Sequence, residues 1–311
     1  MSFSQLIGQT QAIDLLQNAV KHDRIAPGYL FAGPTGIGKS LAATGFLTQI
    51  LAQPGETSAH THQRILDRNH PDLLWVEPTY LDKGKRLTPA EAEAAGLKRK
   101  SAPIVRLEQV REIAQFLSRP PLEAPRSAIV IDQADTMNEA AANALLKTLE
   151  EPGPATLILL TPQIESLLPT IVSRCQRIPF RRLDPAGMAE VLTRIGKPEV
   201  LAQPQLLALA AGSPGKAIEH WERLQTLPED LLTAILAKPT SLIQALGLAK
   251  QIAKGLDSET QLWLVDYLQQ IAYQNGTERA YLQALEQAKQ YLSAYVQPQL
   301  VWEVTLMGQV A

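Results

Sequence analysis

An α/β fold with a parallel sheet and helices on both its faces, followed by an all-helical region, is predicted by three observations. Short apolar runs at Tyr29–Ala32, Ala128–Ile131 and Leu157–Leu160 alternate with helical patterns before Phe180. A glycine-rich turn, Gly33–Ser40, follows the first of these runs and opens a helix. After Phe180 nearly every segment has helical periodicity. Strands that alternate with helices become parallel neighbours, because each crossover helix returns the chain to the same end of the sheet.

The elements follow in order. Gln11–Lys21 reads as a helix with Ile13, Leu16 and Val20 on one face. Tyr29–Ala32 is a short buried strand, Gly33–Ser40 a turn, and Leu41–Leu51 a helix. Gln53–Arg68 is polar and reads as an insertion, as does Lys83–Lys100. The second insertion carries Lys83, Lys85, Arg86, Lys98, Arg99 and Lys100 around a short capped helix at Thr88-Pro89-Ala90-Glu91. It reads first as a solvated loop, with nucleic-acid contact as the alternative. Ala128–Ile131 is a second strand ending at Asp132. Thr136-Met137-Asn138-Glu139 fits a capping box, and its helix runs to Glu151, where Pro152 stops it. Leu157–Leu160 is the third strand. Pro185–Ile195 begins the helical region, and Gly212-Ser213-Pro214-Gly215 breaks it. From Leu224 onward helices join through short polar links, as in a bundle.

Composition narrows the function. The 311 residues suggest two domains, with three possible. The net charge of −2 argues against gripping DNA by bulk charge, although a local basic strip could still do so. Aromatic residues at 5% weigh against stacking platforms for single strands. One cysteine, Cys175, rules out an intramolecular disulfide and a zinc site built mainly of thiolates. No apolar run approaches a membrane span, and Met1–Ala12 lacks a basic stretch followed by an apolar core, so a cytoplasmic protein is expected.

The turn Gly33-Pro34-Thr35-Gly36-Ile37-Gly38-Lys39-Ser40 matches the phosphate-loop spacing G-x-x-x-x-G-K-[ST]. Glycines let backbone N–H groups turn inward around phosphates, and the helix that follows points its positive end at the same anion. Lys39 supplies a charge for the β- and γ-phosphates, and the Ser40 hydroxyl a ligand for Mg²⁺. Asp132, ending the second strand, is the matching acid for the Mg²⁺ shell. The next residue is Gln133, where ATPases of this architecture usually carry a Glu that activates water. An amide cannot take a proton at neutral pH, so the residues suggest binding without efficient hydrolysis.

Two further blocks carry a resemblance. Ala142-Asn143-Ala144-Leu145-Leu146-Lys147-Thr148-Leu149-Glu150-Glu151-Pro152 follows the acidic strand, and Thr170-Ile171-Val172-Ser173-Arg174-Cys175 follows the third strand. With the phosphate loop they resemble the clamp-loader branch of the AAA+ ATPases, and within it the delta-prime subunits of bacterial DNA polymerase III. The resemblance implies an AAA+ domain over residues 1–180, a helical lid over 181–224 and an all-α collar that holds a ring together over 225–311. It implies ATP with Mg²⁺, motor (gamma/tau) and delta subunits as partners, and a role in loading a sliding clamp onto primed DNA. Arg174 resembles an arginine finger that acts in trans on a neighbouring motor subunit. Thr161 matches the family's first sensor. Ile7 and Gly8 match a block that packs near the adenine, and Leu41 follows the loop's Mg²⁺ ligand.

Three departures bear on the role. Motor subunits of the family carry Asp-Glu where this chain has Asp132-Gln133. They carry a lid arginine where this chain has Gly215, and Lys216 beside it points elsewhere on a helix. Both differences favour a stator-like subunit. A catalytically active AAA+ motor, in a clamp loader or in branch migration, is the alternative, and a P-loop kinase comes last. The family's four-cysteine zinc module is reduced to His60, His62 and His70 ahead of Pro71-Asp72-Leu73, and no zinc is expected. His22 and His220 are lone helix residues without an assigned role.

Overall fold

Five parallel strands supply the frame of the first unit. The computed structural model describes residues 3–53, 55–96, 102–276 and 279–310, and the chain divides into two units, Met1–Leu183 and Asp184–Ala311. The first unit begins with α1 (Thr10–Lys21), β1 (Gly28–Ala32), α2 (Lys39–Ile50), α3 (Ser58–Leu66) and β2 (Leu73–Val76). A hairpin of β3 (Tyr80–Asp82) and β4 (Lys85–Leu87) precedes the short helix α4 (Pro89–Ala94) and then α5 (Leu107–Leu117). The unit closes with β5 (Ser127–Ile131), α6 (Glu139–Glu150), β6 (Ala155–Thr161), α7 (Pro169–Val172) and β7 (Gln176–Pro179).

The sheet order is β2-β5-β6-β1-β7, with every pairing parallel. The strands β1, β5 and β6 are buried along their whole length, which is why they read as unbroken apolar runs. Alternate residues face opposite layers. Tyr29, Phe31, Val130, Ile158 and Leu160 pack with Leu16 of α1 and with Ala42 and Phe46 of α2. Leu30, Ile129, Ile131, Leu157 and Leu159 pack with Ile113 of α5, Leu145 of α6 and Ile171 of α7. Each fully buried large side chain of this kind contributes about 1.5–3 kcal/mol. The parallel α/β sheet with helices on both faces is therefore as expected.

Several local expectations are corrected. The polar stretch after α2 contains α3, capped by Thr57, whose side chain accepts the His60 N–H. Part of the basic insertion is a β-hairpin, and the expected capped helix at Thr88 follows it with both bonds of its capping box. Lys98, Arg99 and Lys100 lie outside the described residues. Asn138, not Thr136, caps α6: its side chain accepts the Ala141 N–H at 2.8 Å. The Thr136 hydroxyl is taken by the Gln133 carbonyl at 2.8 Å in a single tight turn before the helix. The edge strands β2 and β7 have only one sheet neighbour each, and β7, written Gln-Arg-Ile-Pro, is half exposed.

Asp72 ties the edge of the sheet to a distant loop. Its carboxylate is buried and accepts the backbone N–H groups of Leu122, Glu123 and Ala124 at 2.6, 2.8 and 2.7 Å. The N–H of Asp72 itself is donated to His70 Nδ1 at 3.2 Å.

The second unit contains α8 (Pro185–Arg194), α9 (Pro204–Ala210), α10 (Pro214–Thr226), α11 (Glu229–Leu236), α12 (Leu242–Gly255), α13 (Ser258–Gln274), α14 (Arg279–Ser293) and α15 (Pro298–Met307). One core runs from Leu206 and Leu224 through Leu264, Leu268 and Leu285 to Trp302. Trp302 Nε1 donates to Gln261 Oε1 at 2.9 Å inside it. His220 Nδ1 accepts from Trp263 Nε1 at 3.0 Å, so this histidine is a packing residue. Among the described residues, no helix is long and apolar enough to cross a membrane.

Burial alone would raise the Asp72 pKa, but its three N–H donors outweigh that and hold it below the usual carboxylate value. The stabilisation is therefore complete above the unfolded-state pKa and is lost as pH falls through the lower folded-state value. Asp72→Ala strands three amides and is expected to cost about 2–4 kcal/mol in chemical denaturation at neutral pH. The deficit should shrink on acidification toward pH 3; one that is independent of pH would contradict the assignment.

Candidate functional site

The site grows from the end of β1. Ala32 accepts the Phe180 N–H at 2.7 Å, and the Gly33 N–H is donated to the Thr161 carbonyl at 3.1 Å. The chain thus leaves the sheet between β6 and β7, with no room for a side chain: a Cβ on Gly33 would run into the Phe180 carbonyl. Gly36 and Gly38 have φ of +74° and +102°, a region that disfavours side chains. A Cβ on Gly38 would also stand 2.7 Å from Leu6 Cδ1. The loop delivers the chain to α2, whose N-cap is Gly38 and whose first turn holds no acidic residue. No side chain caps the N-terminal amides of α2, which leaves that helix end suited to an anion.

Lys39 lies under the loop. It is 8% exposed, and its Nζ donates to the carbonyls of Gly33 and Pro34 at 2.5 and 2.7 Å. Burial lowers its pKa from the usual 10.5 to about 8, with Asp132 and Asp135 pulling the other way. Asp132 faces the same cleft. Burial raises its pKa, opposed by the Gln133 N–H, which donates to Asp132 Oδ1 at 2.8 Å, and by Lys39 and Arg68. The cleft encloses about 310 Å³ between Thr35, Gly36, Gly38, Lys39, Ser40 and Leu41 on one side and Asp132, Gln133, Leu160 and Pro162 on the other. Exposed backbone amides, a buried ammonium, a hydroxyl and a carboxylate suit a polyphosphate with a hard divalent cation.

The remaining predicted residues fall into three places. Thr161 is fully buried behind the cleft, its hydroxyl donating to the Gln163 carbonyl at 2.7 Å, with Asp135 Oδ1 at 3.5 Å. Ile7 and Gly8 belong to an N-terminal segment that Gln9 clamps against the end of the sheet. Gln9 Nε2 donates to the Arg181 carbonyl at 2.7 Å, and the Arg181 N–H donates to Gln9 Oε1 at 3.0 Å. Arg174 stands at the opposite end of the sheet, by the start of β1. Its carbonyl oxygen is 3.3 Å from where a Cβ on Gly28 would sit. The five residues of β1 then separate it from Gly33 by roughly 16 Å. Its Nη2 donates to Glu150 Oε1 at 2.7 Å and its Nη1 to the Thr170 carbonyl at 3.0 Å. It is too far away to serve this chain's own phosphate loop.

The sequence reading passed over Asp135 and Arg68. Asp135 couples Thr161 to Lys39 from a one-turn helix, and the short spacing Asp132-Gln133-Ala134-Asp135 was its signal. Arg68, just past the end of α3, acts on Asp132 through its charge and had no signal in sequence. The three histidines are engaged separately. His60 Nδ1 meets Glu56 Oε1 at 2.6 Å, His62 Nδ1 meets Thr48 Oγ1 at 3.1 Å, and His70 is buried, its Nδ1 on the Asp72 amide. No group of three or more metal-ligating side chains occurs among the described residues. Burial raises the Cys175 thiol to about 11, which leaves it unreactive.

Because Lys39 has a folded-state pKa below its unfolded one, it penalises the fold while charged, and stability rises as pH climbs from about 8 toward 10.5. Lys39→Met should raise stability near pH 7 by about 1–3 kcal/mol and remove that rise. Equilibrium denaturation at pH 7 and pH 10 tests both effects.

The family described as "DNA polymerase III, delta subunit" matches residues 8–184, and "Cyanobacterial DNA polymerase III delta prime, C-terminal domain" matches residues 186–309. DNA polymerase III subunit delta' of Bacillus subtilis is 34% identical over 217 residues, 68% of this chain and 58% of that protein. The delta' subunit of Pseudomonas aeruginosa is 34% identical over 196 residues, 61% of this chain and 54% of that protein. The matched part thus spans somewhat more than half the length of these relatives. In fold, the chain is similar to a DNA polymerase III gamma-subunit-related protein of Thermotoga maritima, with a TM-score of 0.53, 18% identity and coverage of 96% of this chain and 98% of that one. The two family matches, which between them take in nearly all of both units, show that this chain belongs to the DNA polymerase III delta-prime family.

Proposed function

We propose that this chain is a stator-like subunit of a DNA polymerase III clamp loader. It binds ATP with Mg²⁺ at Gly33–Ser40, hydrolyses little of it, and supplies Arg174 in trans to the ATP site of a neighbouring motor subunit. In this reading Ser40 and Asp132 hold the Mg²⁺, Lys39 and the loop amides hold the phosphates, and Ile7, Gly8, Leu41 and Thr161 line the rest of the nucleotide. The cation, when bound, neutralises the β- and γ-phosphate charge.

The observation that carries the reading is the contrast between the two ends of β1. At its C-terminal end lies a phosphate cleft whose water-activating position is the amide of Gln133. At its N-terminal end lies Arg174, 37% exposed and held by one surface carboxylate, with access to a second chain. A surface pair of this kind is worth about 0–1 kcal/mol, so another carboxylate or phosphate could draw the guanidinium away at little cost. Gly215 in the first turn of α10 supports the same view, since it offers no cation where a motor's lid arginine stands. Lys216 is paired with Glu219 at 2.8 Å.

The proposal extends to the rest of the assembly. The second unit carries a lid up to about residue 224 and a collar beyond it, the two sharing one core across α10. The partners are motor (gamma/tau) and delta subunits, with the sliding clamp and primed DNA met through the assembled cytoplasmic complex.

Two measurements test this. The isolated chain, given radiolabelled ATP and Mg²⁺, should retain about one ATP with little release of phosphate, and Lys39→Ala should abolish retention. Repeated turnovers lost in the Lys39 variant would instead make it a motor. Arg174→Ala should leave that retention unchanged. In a reconstituted loader it should lower the DNA-stimulated ATPase, by as much as the ~10³ that a finger contributes at the one site it completes. An unaltered ATPase would remove Arg174 from the chemistry.

A further inference from the structure

Arg68 is placed unusually for a residue that the fold alone explains. It follows α3 with φ of +55°, a left-handed helix-ending position that favours glycine. Its N–H is donated to the Ile65 carbonyl and the Asn69 N–H to the Arg64 carbonyl, so the backbone bend is closed without help from the side chain. The guanidinium lies over Trp75, its Cζ 3.2 Å from the ring centroid. Its nearest carboxylate is Glu77, at 3.8 Å, longer than a hydrogen bond. The Arg68 side chain is 41% exposed and donates no hydrogen bond to another described residue, which leaves its N–H groups open to a ligand.

The sheet register brings this group to the phosphate cleft. Trp75 pairs with Val130 across β2 and β5, and the Asp132 N–H is donated to the Val76 carbonyl at 2.8 Å. Glu77 is thus beside Asp132, and Trp75, Glu77, Val130 and Asp132 all point to the face that carries α2. Along that edge run Lys39, Asp132, Arg68 and Glu77. The mutual influence of the Arg68 and Asp132 charges is the electrostatic sign of the same closeness.

We infer that Arg68 is a second cation of the phosphate cleft, one that favours a nucleoside triphosphate over a diphosphate. This rests on the nucleotide reading given above. In a phosphate loop the divalent cation bridges the β- and γ-phosphates beside the strand-end acid, so the terminal phosphate lies next to Asp132 and, on this sheet, next to Arg68. A guanidinium stacked on an indole and held by no direct hydrogen bond to a described residue gains charge-assisted bonds to phosphate oxygens when it turns toward the cleft. A diphosphate does not extend that far.

Equilibrium binding of Mg-ATP and Mg-ADP to the full chain tests the assignment, with Arg68→Gln, Arg68→Lys and Arg68→Gly as variants. Arg68→Gln should lose about tenfold in ATP affinity while ADP affinity changes by less than about twofold. Arg68→Lys should keep part of the preference. Arg68→Gly, which suits the left-handed backbone, should melt no lower than the wild type and still lose the preference, separating contact from folding. An ATP-to-ADP ratio unchanged in both charge-removing variants overturns the inference and leaves the phosphate loop intact as a binding site. A wild-type chain that binds neither nucleotide overturns both readings.

Discussion

The structure depends on the way β1 ends. Its last residue and the glycine after it are held between β6 and β7 by the bonds Phe180 N–H to Ala32 and Gly33 N–H to Thr161. Those two bonds fix where the chain turns out of the sheet, and the Phe180 carbonyl prevents any residue but glycine from turning there. Everything at the cleft is set by that exit. The loop carbonyls that hold Lys39, the bare N-terminus of α2 and the facing acid on β5 hold their positions because β1 is a central, fully buried strand. A similar exit from an edge strand would have left the loop free to shift.

The parallel arrangement has a second consequence. All five strands point the same way, so the two ends of the sheet differ chemically. Asp132, Asp135, Gln133 and Thr161 gather at the C-terminal ends with the phosphate loop, where open parallel sheets place their ligands. Arg174 is left at the N-terminal ends, about a strand length away. One chain therefore presents a cleft suited to phosphate and, separately, a cation with no such target of its own.

Burial sets the electrostatics of the cleft. It depresses the Lys39 ammonium, raises the Asp132 carboxyl, and makes each the other's counter-charge. Neither group is at ease in the fold by itself, which is the usual condition of a site built for a charged ligand. The Asp72 carboxylate shows the opposite case. It is buried too, but three backbone donors satisfy it, and it acts as a structural tie. The difference lies in the partners that each group has.

The sequence by itself determined the three central strands, the phosphate loop, its acid and the change to an all-helical second unit. These are local patterns: continuous apolar runs for strands buried on both faces, glycines where backbone must turn, and helical periodicity where one face is covered. It did not reveal β2 and β7, because an edge strand is only partly covered, nor α3 and the β3–β4 hairpin, whose polar surfaces hide their period. Tertiary structure alone decided that Arg68 comes within electrostatic reach of Asp132 and that Arg174 stands a strand length from the loop. Each of those outcomes follows from strand order and register, which bring together or hold apart residues whose spacing along the chain says nothing about distance.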